Sequence, residues 1–166
     1  MSLRPLKSYW FWPVFGTVLL ADCSSKELIV SAFAANPGPH PVIGDLLRVT
    51  LAYNTDASMG LSAGPFSRPV FSLIALVAVA LLFRLYFRAP AASRLRVVAL
   101  ALLAAGAAGN LLDRLRSARG VVDFIDVGLG PSRFWIFNIA DVGVVTGALL
   151  LALVLWREDR MAREGS

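Results

Sequence analysis

The chain has 166 residues, 57% hydrophobic and only 16% charged, with a mean hydropathy of +0.68. That composition excludes an ordinary soluble domain and fits a small multi-span membrane protein, all-α in its bulk. The net charge of +5 reads as topology and lipid contact, and no nucleic-acid partner is needed to explain it.

Four apolar segments are expected to cross a bilayer as helices, at about residues 9–30, 69–87, 97–113 and 134–156. They make residues 1–166 a single integral membrane domain. The first, Tyr9 to Val30, is interrupted by Asp22-Cys23-Ser24-Ser25-Lys26, so its unbroken part is short for a span. Its basic start (Arg4, Lys7) and the sequence Leu20-Ala21-Asp22-Cys23 faintly resemble a cleavable signal. Asp22 directly before the cysteine argues against cleavage, which needs small residues there. Cys23 is the one cysteine, which excludes an intramolecular disulfide, and a buried structural thiol is expected.

Residues 32–68 form the first extracytoplasmic segment. Asn36-Pro37-Gly38-Pro39-His40-Pro41 is unfit for helix, and Val42 to Tyr53 mixes β-branched and apolar residues in one or two short strands. Ser58 to Phe66 is small and apolar and is expected to lie on the membrane surface as a helix. The second span ends near Arg84, close enough to the interface to snorkel. The third approaches its end through Ala104-Ala105-Gly106-Ala107-Ala108-Gly109, small residues that permit close helix packing. In the second extracytoplasmic segment, residues 114–133, Val121 to Val127 reads as a short strand or extended lid.

The fourth run, Phe134 to Trp156, carries one charge, Asp141. A carboxylate in such a segment costs about 2.5–3.5 kcal/mol to insert, so it marks a functional site by default. Basic residues set the orientation. Arg4, Lys7, Arg84, Arg88, Arg94, Arg96, Arg157, Arg160 and Arg163 crowd two short tails and one short loop. Lys26, Arg48, Arg68, Arg114, Arg116, Arg119 and Arg133 are spread over longer segments. Both termini are therefore expected in the cytoplasm, with the other side extracytoplasmic.

This topology brings the polar residues together. Asp22 and Lys26 are spaced i, i+4, while Asn110/Asp113 and Asn138/Asp141 are spaced i, i+3, so each set lies on one helix face. All sit at the outer ends of spans. Two facing carboxylates form a general acid/base pair, because like charges at close range cannot both ionise cheaply and one keeps a proton. His40 is the one histidine and sits in a Pro-rich loop, which argues against a metal site and against a Ser-His triad. No cofactor is expected.

The blocks Asp22-Cys23-Ser24-Ser25-Lys26, Tyr53-Asn54-Thr55, Gly109-Asn110-Leu111-Leu112-Asp113-Arg114, Val121-Val122-Asp123-Phe124-Ile125-Asp126 and Phe137-Asn138-Ile139-Ala140-Asp141 resemble, in order and spacing, the motifs of lipoprotein signal peptidase (signal peptidase II). The resemblance spans about residues 10–156. It implies a multi-pass aspartyl endopeptidase of the bacterial inner membrane with its active site at the extracytoplasmic face. Such an enzyme removes the signal peptide of diacylglyceryl-modified prolipoproteins by cutting before the lipidated cysteine. The resemblance places the catalytic dyad on Asp123 and Asp141, and supporting or substrate-contacting roles on Asp22, Lys26, Asn54, Asn110, Asp113, Arg114 and Asn138. It implies membrane lipids as surroundings and cyclic peptide antibiotics of the globomycin type as occupants of the cleft. Cys23-Ser24-Ser25 departs from the usual Gln-hydrophobic-Thr, Asp56 from Gly, and Ser58-Met59 from Ala-Phe.

Plainer roles stand beside these. Asp22 and Lys26 serve as a structural helix pair or position substrate, and Asn110 and Asn138 tie helices together or touch substrate. Asp113 reads as a scaffold partner of Arg114, and Asp126, further along the strand from Asp123, as facing the opposite side and solvated. A small proton-coupled transporter or channel is the competing function, but a relay needs polar groups through the membrane depth, and spans two to four lack them on their inner halves. A purely structural subunit would leave the clustering unexplained. A laterally arriving substrate needs a movable cover, for which residues 32–68 are the candidate, with Asn54 and possible hinges at Gly60 and Gly64.

Overall fold

A computed structural model describes residues 4–55 and 63–164. Four helices and four strands follow in the order α1 (Arg4–Phe33), β1 (His40–Ile43), β2 (Leu47–Asn54), α2 (Ser67–Arg88), α3 (Arg94–Arg116), β3 (Val121–Leu129), β4 (Ser132–Arg133) and α4 (Ile139–Glu164), with a 3-10 turn at Gly64–Phe66 leading into α2. Of the expected surface segment Ser58–Phe66 only residues 63–66 are described, and Gly64–Phe66 forms that turn; residues 56–62, with Asp56, Ser58, Met59 and Gly60 among them, lie outside the described residues.

The polar interruption does not break the first helix. α1 runs through Asp22–Lys26 because the two side chains pair within one turn of the helix, 2.8 Å apart. It also runs through Pro13, which forfeits one intrahelical bond. Cys23, expected buried, is half-buried. Among the described residues three helices are long and apolar enough to cross a membrane, namely α2 with its leading turn, α3 and α4.

The fourth apolar run starts later as a helix than expected. Phe134 to Phe137 is extended, because Phe137 bridges to Ile125 of β3 through N–H···O bonds of 2.8 and 3.1 Å. α4 then continues past the apolar run to Glu164, where Arg160–Glu164 and Arg163–Asp159 pairs at i, i+4 support its polar end.

The helix α3 sits at the centre, packed on α1, α2 and α4. It buries Val97, Leu100, Ala101, Ala104 and Ala105. Against α4 the backbones come close: a methyl group on Gly147 would lie 2.8 Å from the Ala99 carbonyl. Near the same end of α3, Phe11 of α1 is fully buried and stacks on Tyr86 of α2 at 3.9 Å between ring centroids.

Three contacts gather one set of helix ends. Lys7 donates to the carbonyls of Tyr86 and Phe87, Arg94 lies over the Trp10 ring, and Arg96 pairs with Glu158. The start of α1, the end of α2, the start of α3 and the end of α4 therefore share one end of the bundle. At the other end stands an antiparallel sheet in the order β1-β2-β3-β4. In it Asn54 pairs with Val121 and Ala52 with Asp123. The strand expectation for Val42–Tyr53 and Val121–Val127 is met, with two further residues on β3.

Candidate active site

The start of α4 explains the local arrangement. Asn138 is its N-cap: its side-chain oxygen accepts the Asp141 N–H at 2.9 Å, while the Asp141 carboxylate accepts the Asn138 N–H at 3.1 Å. This reciprocal box satisfies two of the donors every helix start leaves open. It also fixes Asp141 in the first turn, where the helix dipole favours an anion.

Asn138 is fully buried and reaches the second carboxylate as well. Its amide nitrogen donates to Asp123 at 2.7 Å and sits 3.1 Å from the Asn110 side-chain oxygen. One residue thus holds both Asp123 and Asp141. Asn54 of β2 donates to the other Asp123 oxygen at 3.3 Å, and Asn110 donates to Asp141 at 2.8 Å.

Behind the pair lies a buried ion cluster. The Lys26 ammonium meets Asp22 at 2.8 Å, Asp113 at 2.9 Å and the Asn110 side-chain oxygen at 3.0 Å, which uses all three of its protons. Lys26 is 3% exposed and Asp22 is fully buried, so each charge depends on the other for its desolvation. Because Lys26 occupies the Asn110 oxygen, the amide nitrogen must face Asp141. Asp113 also accepts the Val122 N–H at 3.1 Å, and Asp22 accepts the Ala140 N–H at 2.9 Å. Each amide immediately precedes one of the paired aspartates.

Asp123 is 4% exposed. Burial first, and then the neighbouring charge of Asp141, push its carboxyl up to about 6, against the pull of the bonds from Asn54 and Asn138. Asp123, Asp141, Asn110, Asn54 and Arg114 line one cavity of about 610 Å³. The opposite walls are apolar, made by Phe134 to Phe137 and by Val142 and Val145 of α4. A carboxylate pair, Asp123 buried and Asp141 half-buried, beside an apolar trough is suited to hydrolysis of a bond carried on an apolar chain.

The model of the family Signal peptidase (SPase) II matches residues 14–157. The chain belongs to the signal peptidase II family. It is 33% identical to a lipoprotein signal peptidase of Halothermothrix orenii over 87% of this chain and 93% of that one. With a lipoprotein signal peptidase of Cronobacter sakazakii it shares 38% identity over 87% of this chain and 86% of the other. A bacterial membrane enzyme structure obtained by the in meso method superposes with a TM-score of 0.78 at 30% identity, covering 88% of this chain and 87% of that one. As a signal peptidase II family member the chain is an aspartic-type peptidase and a multi-pass membrane protein.

The residues given catalytic or supporting roles by the signal peptidase II resemblance, Asp123, Asp141, Asp22, Lys26, Asn54, Asn110, Asp113, Arg114 and Asn138, all fall within this one assembly, but two readings of charge partners change. Asp113 pairs with Lys26, because neighbouring residues on a helix point about 100° apart and Arg114 turns toward the cavity. There Arg114 donates to the Asn110 carbonyl, and its charge acts on Asp123 and Asp141. Asp126 does point away from Asp123, yet it is not solvated. Strands on both sides cover it, leaving it 4% exposed, with Thr50 donating at 2.9 Å and Arg133 at 2.5 Å. Burial opposes its charge, but those two donors outweigh it and hold the carboxyl below the usual range.

Some contributors were not foreseen. Arg68 caps the end of α3, donating to the carbonyls of Arg114 and Leu115. The apolar cavity walls and the Thr50–Asp126–Arg133 cluster were also missed. A basic residue opposite an acid in flanking strands is the one signal that points to the latter.

Proposed function

We propose that this chain cleaves diacylglyceryl-modified bacterial prolipoproteins immediately before the lipidated cysteine, with Asp123 and Asp141 as the catalytic dyad. The observation that carries the reading is Asn138, which holds both carboxylates at the head of an apolar cavity. Asp141, at the anion-favouring end of α4, takes a proton from water. The resulting nucleophile attacks the carbonyl carbon of the residue before the cysteine. Asp123, whose carboxyl is displaced toward the neutral form, gives its proton to the carbonyl oxygen. Collapse of the tetrahedral adduct breaks the C–N bond, and the cysteine nitrogen leaves with a proton from the dyad. Substrate that covers the site removes water and further favours the neutral form of Asp123.

In this reading residues 1–166 form one membrane domain with α1 as a fourth span, both termini in the cytoplasm and the dyad at the extracytoplasmic face of the inner membrane. The supporting observation is the gathering of Lys7, Arg88, Arg94, Arg96 and Arg157 at one bundle end, opposite the carboxylates. Gathering of Asp22, Asp113, Asp123 and Asp141 at one end, with the remaining α4 acids Glu158, Asp159 and Glu164 paired to arginines at the other, also weighs against a proton relay. Cyclic peptides of the globomycin type would compete in the same cavity.

The deciding assay uses the full chain in lipid nanodiscs with a diacylglyceryl-modified prolipoprotein, comparing wild type with Asp141→Asn. Cleavage by the first and none by the second, with both folded, is expected. Near-native turnover by Asp141→Asn would end the dyad assignment.

A further inference from the structure

One polar cluster is left unused by this chemistry. Asp126 has both carboxylate oxygens occupied, one by Arg133 at 2.5 Å and the other by Thr50 at 2.9 Å. The same Arg133 guanidinium donates to the Asp126 carbonyl at 3.1 Å and to the Asp45 carbonyl at 2.9 Å, with the Asp45 carboxylate at 3.8 Å. One side chain therefore ties β4 to β3 and to the β1–β2 turn. A guanidinium fork fixes direction as well as distance, which a lysine or an apolar residue would not.

The segment immediately after Arg133 gives the fork a purpose. Phe134 donates its N–H to the Val127 carbonyl at 2.8 Å, and Phe137 bridges to Ile125. Between these anchors the strap carries Trp135 and Ile136, and the whole stretch lines the cavity that holds Asp123 and Asp141. Phe134 and Trp135 are 58% and 55% exposed, line the cavity and meet edge to face, 5.2 Å between ring centroids. They are anchored from behind, at the residue next to Phe134. An ion pair of this kind is weak evidence for stability in itself, since apolar residues would hold a sheet as well; what the guanidinium fork adds is direction, on three acceptors at once.

We infer that Arg133 is a positioning residue for substrate: through Asp126 and Asp45 it sets the Phe134–Trp135 wall against which the apolar stretch of the substrate lies. This rests on the proposed peptidase activity. It acts on binding and leaves the dyad alone, because Asp123 and Asp141 take their bonds from Asn54, Asn110 and Asn138.

The test compares wild type, Arg133→Gln and Arg133→Lys in nanodiscs with lipidated prolipoprotein. Arg133→Gln should raise KM about tenfold with kcat within about twofold, and Arg133→Lys, which keeps the charge without the fork, should raise KM about threefold. A second readout uses Trp10→Phe, Trp12→Phe and Trp156→Phe, which leave Trp135 as the single tryptophan. Its emission in the absence of substrate should shift when Arg133→Gln is added. Unchanged KM, an effect confined to kcat, or an unmoved Trp135 signal would each overturn the inference. Absence of cleavage by wild type would instead refute the peptidase reading, while the substrate-free Trp135 measurement would still decide the role of Arg133.

Discussion

Replacing Asp123 by Asn removes a covered carboxylate that shares a cavity with Asp141. Burial and the charge of Asp141 raise its ionisation from the ordinary value of about 3.9 to about 6. Each tenfold displacement is worth about 1.36 kcal/mol. Keeping Asp123 ionised therefore costs the folded state about 3 kcal/mol relative to the unfolded chain. The bonds from Asn54 and Asn138 are already contained in that figure. The folded chain binds this proton more tightly than the unfolded chain does. Wild-type stability should therefore fall as pH rises from about 4 to about 6 and stay flat above that. An asparagine cannot ionise; its oxygen keeps the acceptor for Asn138, while its amide nitrogen gives up the long 3.3 Å bond from Asn54 and so reduces the gain. Asp123→Asn should be more stable than wild type by up to about 3 kcal/mol at pH 8, and the two should converge by pH 4. Reversible unfolding in mixed micelles at both pH values measures this, with prolipoprotein cleavage followed in the same preparations. Cleavage should vanish while stability rises, as expected where a site holds strain for function. Equal stabilities at pH 8, or a variant weaker there than wild type, would refute the electrostatic account of the pair.

Lys26→Met should destabilise the protein by about 3–5 kcal/mol, because it strands Asp22 and Asp113 without a cation in a dry site. Adding Asp22→Asn should restore part of that loss, and unfolding of the single and double variants checks it. For topology, Val42→Cys and Leu129→Cys in a Cys23→Ala background should react with an impermeant maleimide on cells with an opened outer membrane, whereas Ala92→Cys should not. Labelling at residue 92 alone would reverse the proposed orientation.

The convergence of Asp22, Lys26, Asn110, Asp113, Asn138 and Asp141 was legible because helical spacing and apolar run length constrain each other. A polar pair at i, i+3 or i, i+4 can only face inward together at the end of a span. Strand positions were legible from β-branched runs bounded by turns. The partners of the charges were not. Arg114 and Asp113 are adjacent in sequence, yet adjacency on a helix separates side chains, and the partner of Asp113 comes from α1. The burial of Asp126 depends on β2 and β4 lying on either side of it, which no alternation pattern encodes. The late start of α4 was hidden for a similar reason. Phe134–Phe137 is as apolar as the helix after it, and only its pairing with β3 makes it extended.

The geometry of the ion cluster leads to a last expectation at Gly109. Asp113 accepts the amide of the residue before Asp123, and Asp22 accepts the amide of the residue before Asp141, while Lys26 joins the two acids. The backbone entering each half of the dyad is thus fastened to the same ammonium. Gly109 makes the room for this arrangement. A methyl group there would overlap an Asp22 carboxylate oxygen and lie 3.2 Å from its carboxyl carbon and 3.3 Å from the Ala140 methyl. Asp22 is fully buried and short, so it can yield only by giving up Ala140 or Lys26. Overpacking of this kind costs about 1–3 kcal/mol, and here it falls on the bond that fixes the backbone leading into Asp141. Gly109→Ala should therefore lower kcat by at least about tenfold, a barrier increase of about 1.4 kcal/mol, with KM little changed because the cavity walls are untouched. Steady-state cleavage of lipidated prolipoprotein by folded Gly109→Ala provides the measurement. An unaltered kcat would show that the dyad does not depend on the Asp22–Ala140 bond, and the positioning role of the Lys26 cluster would fall with it.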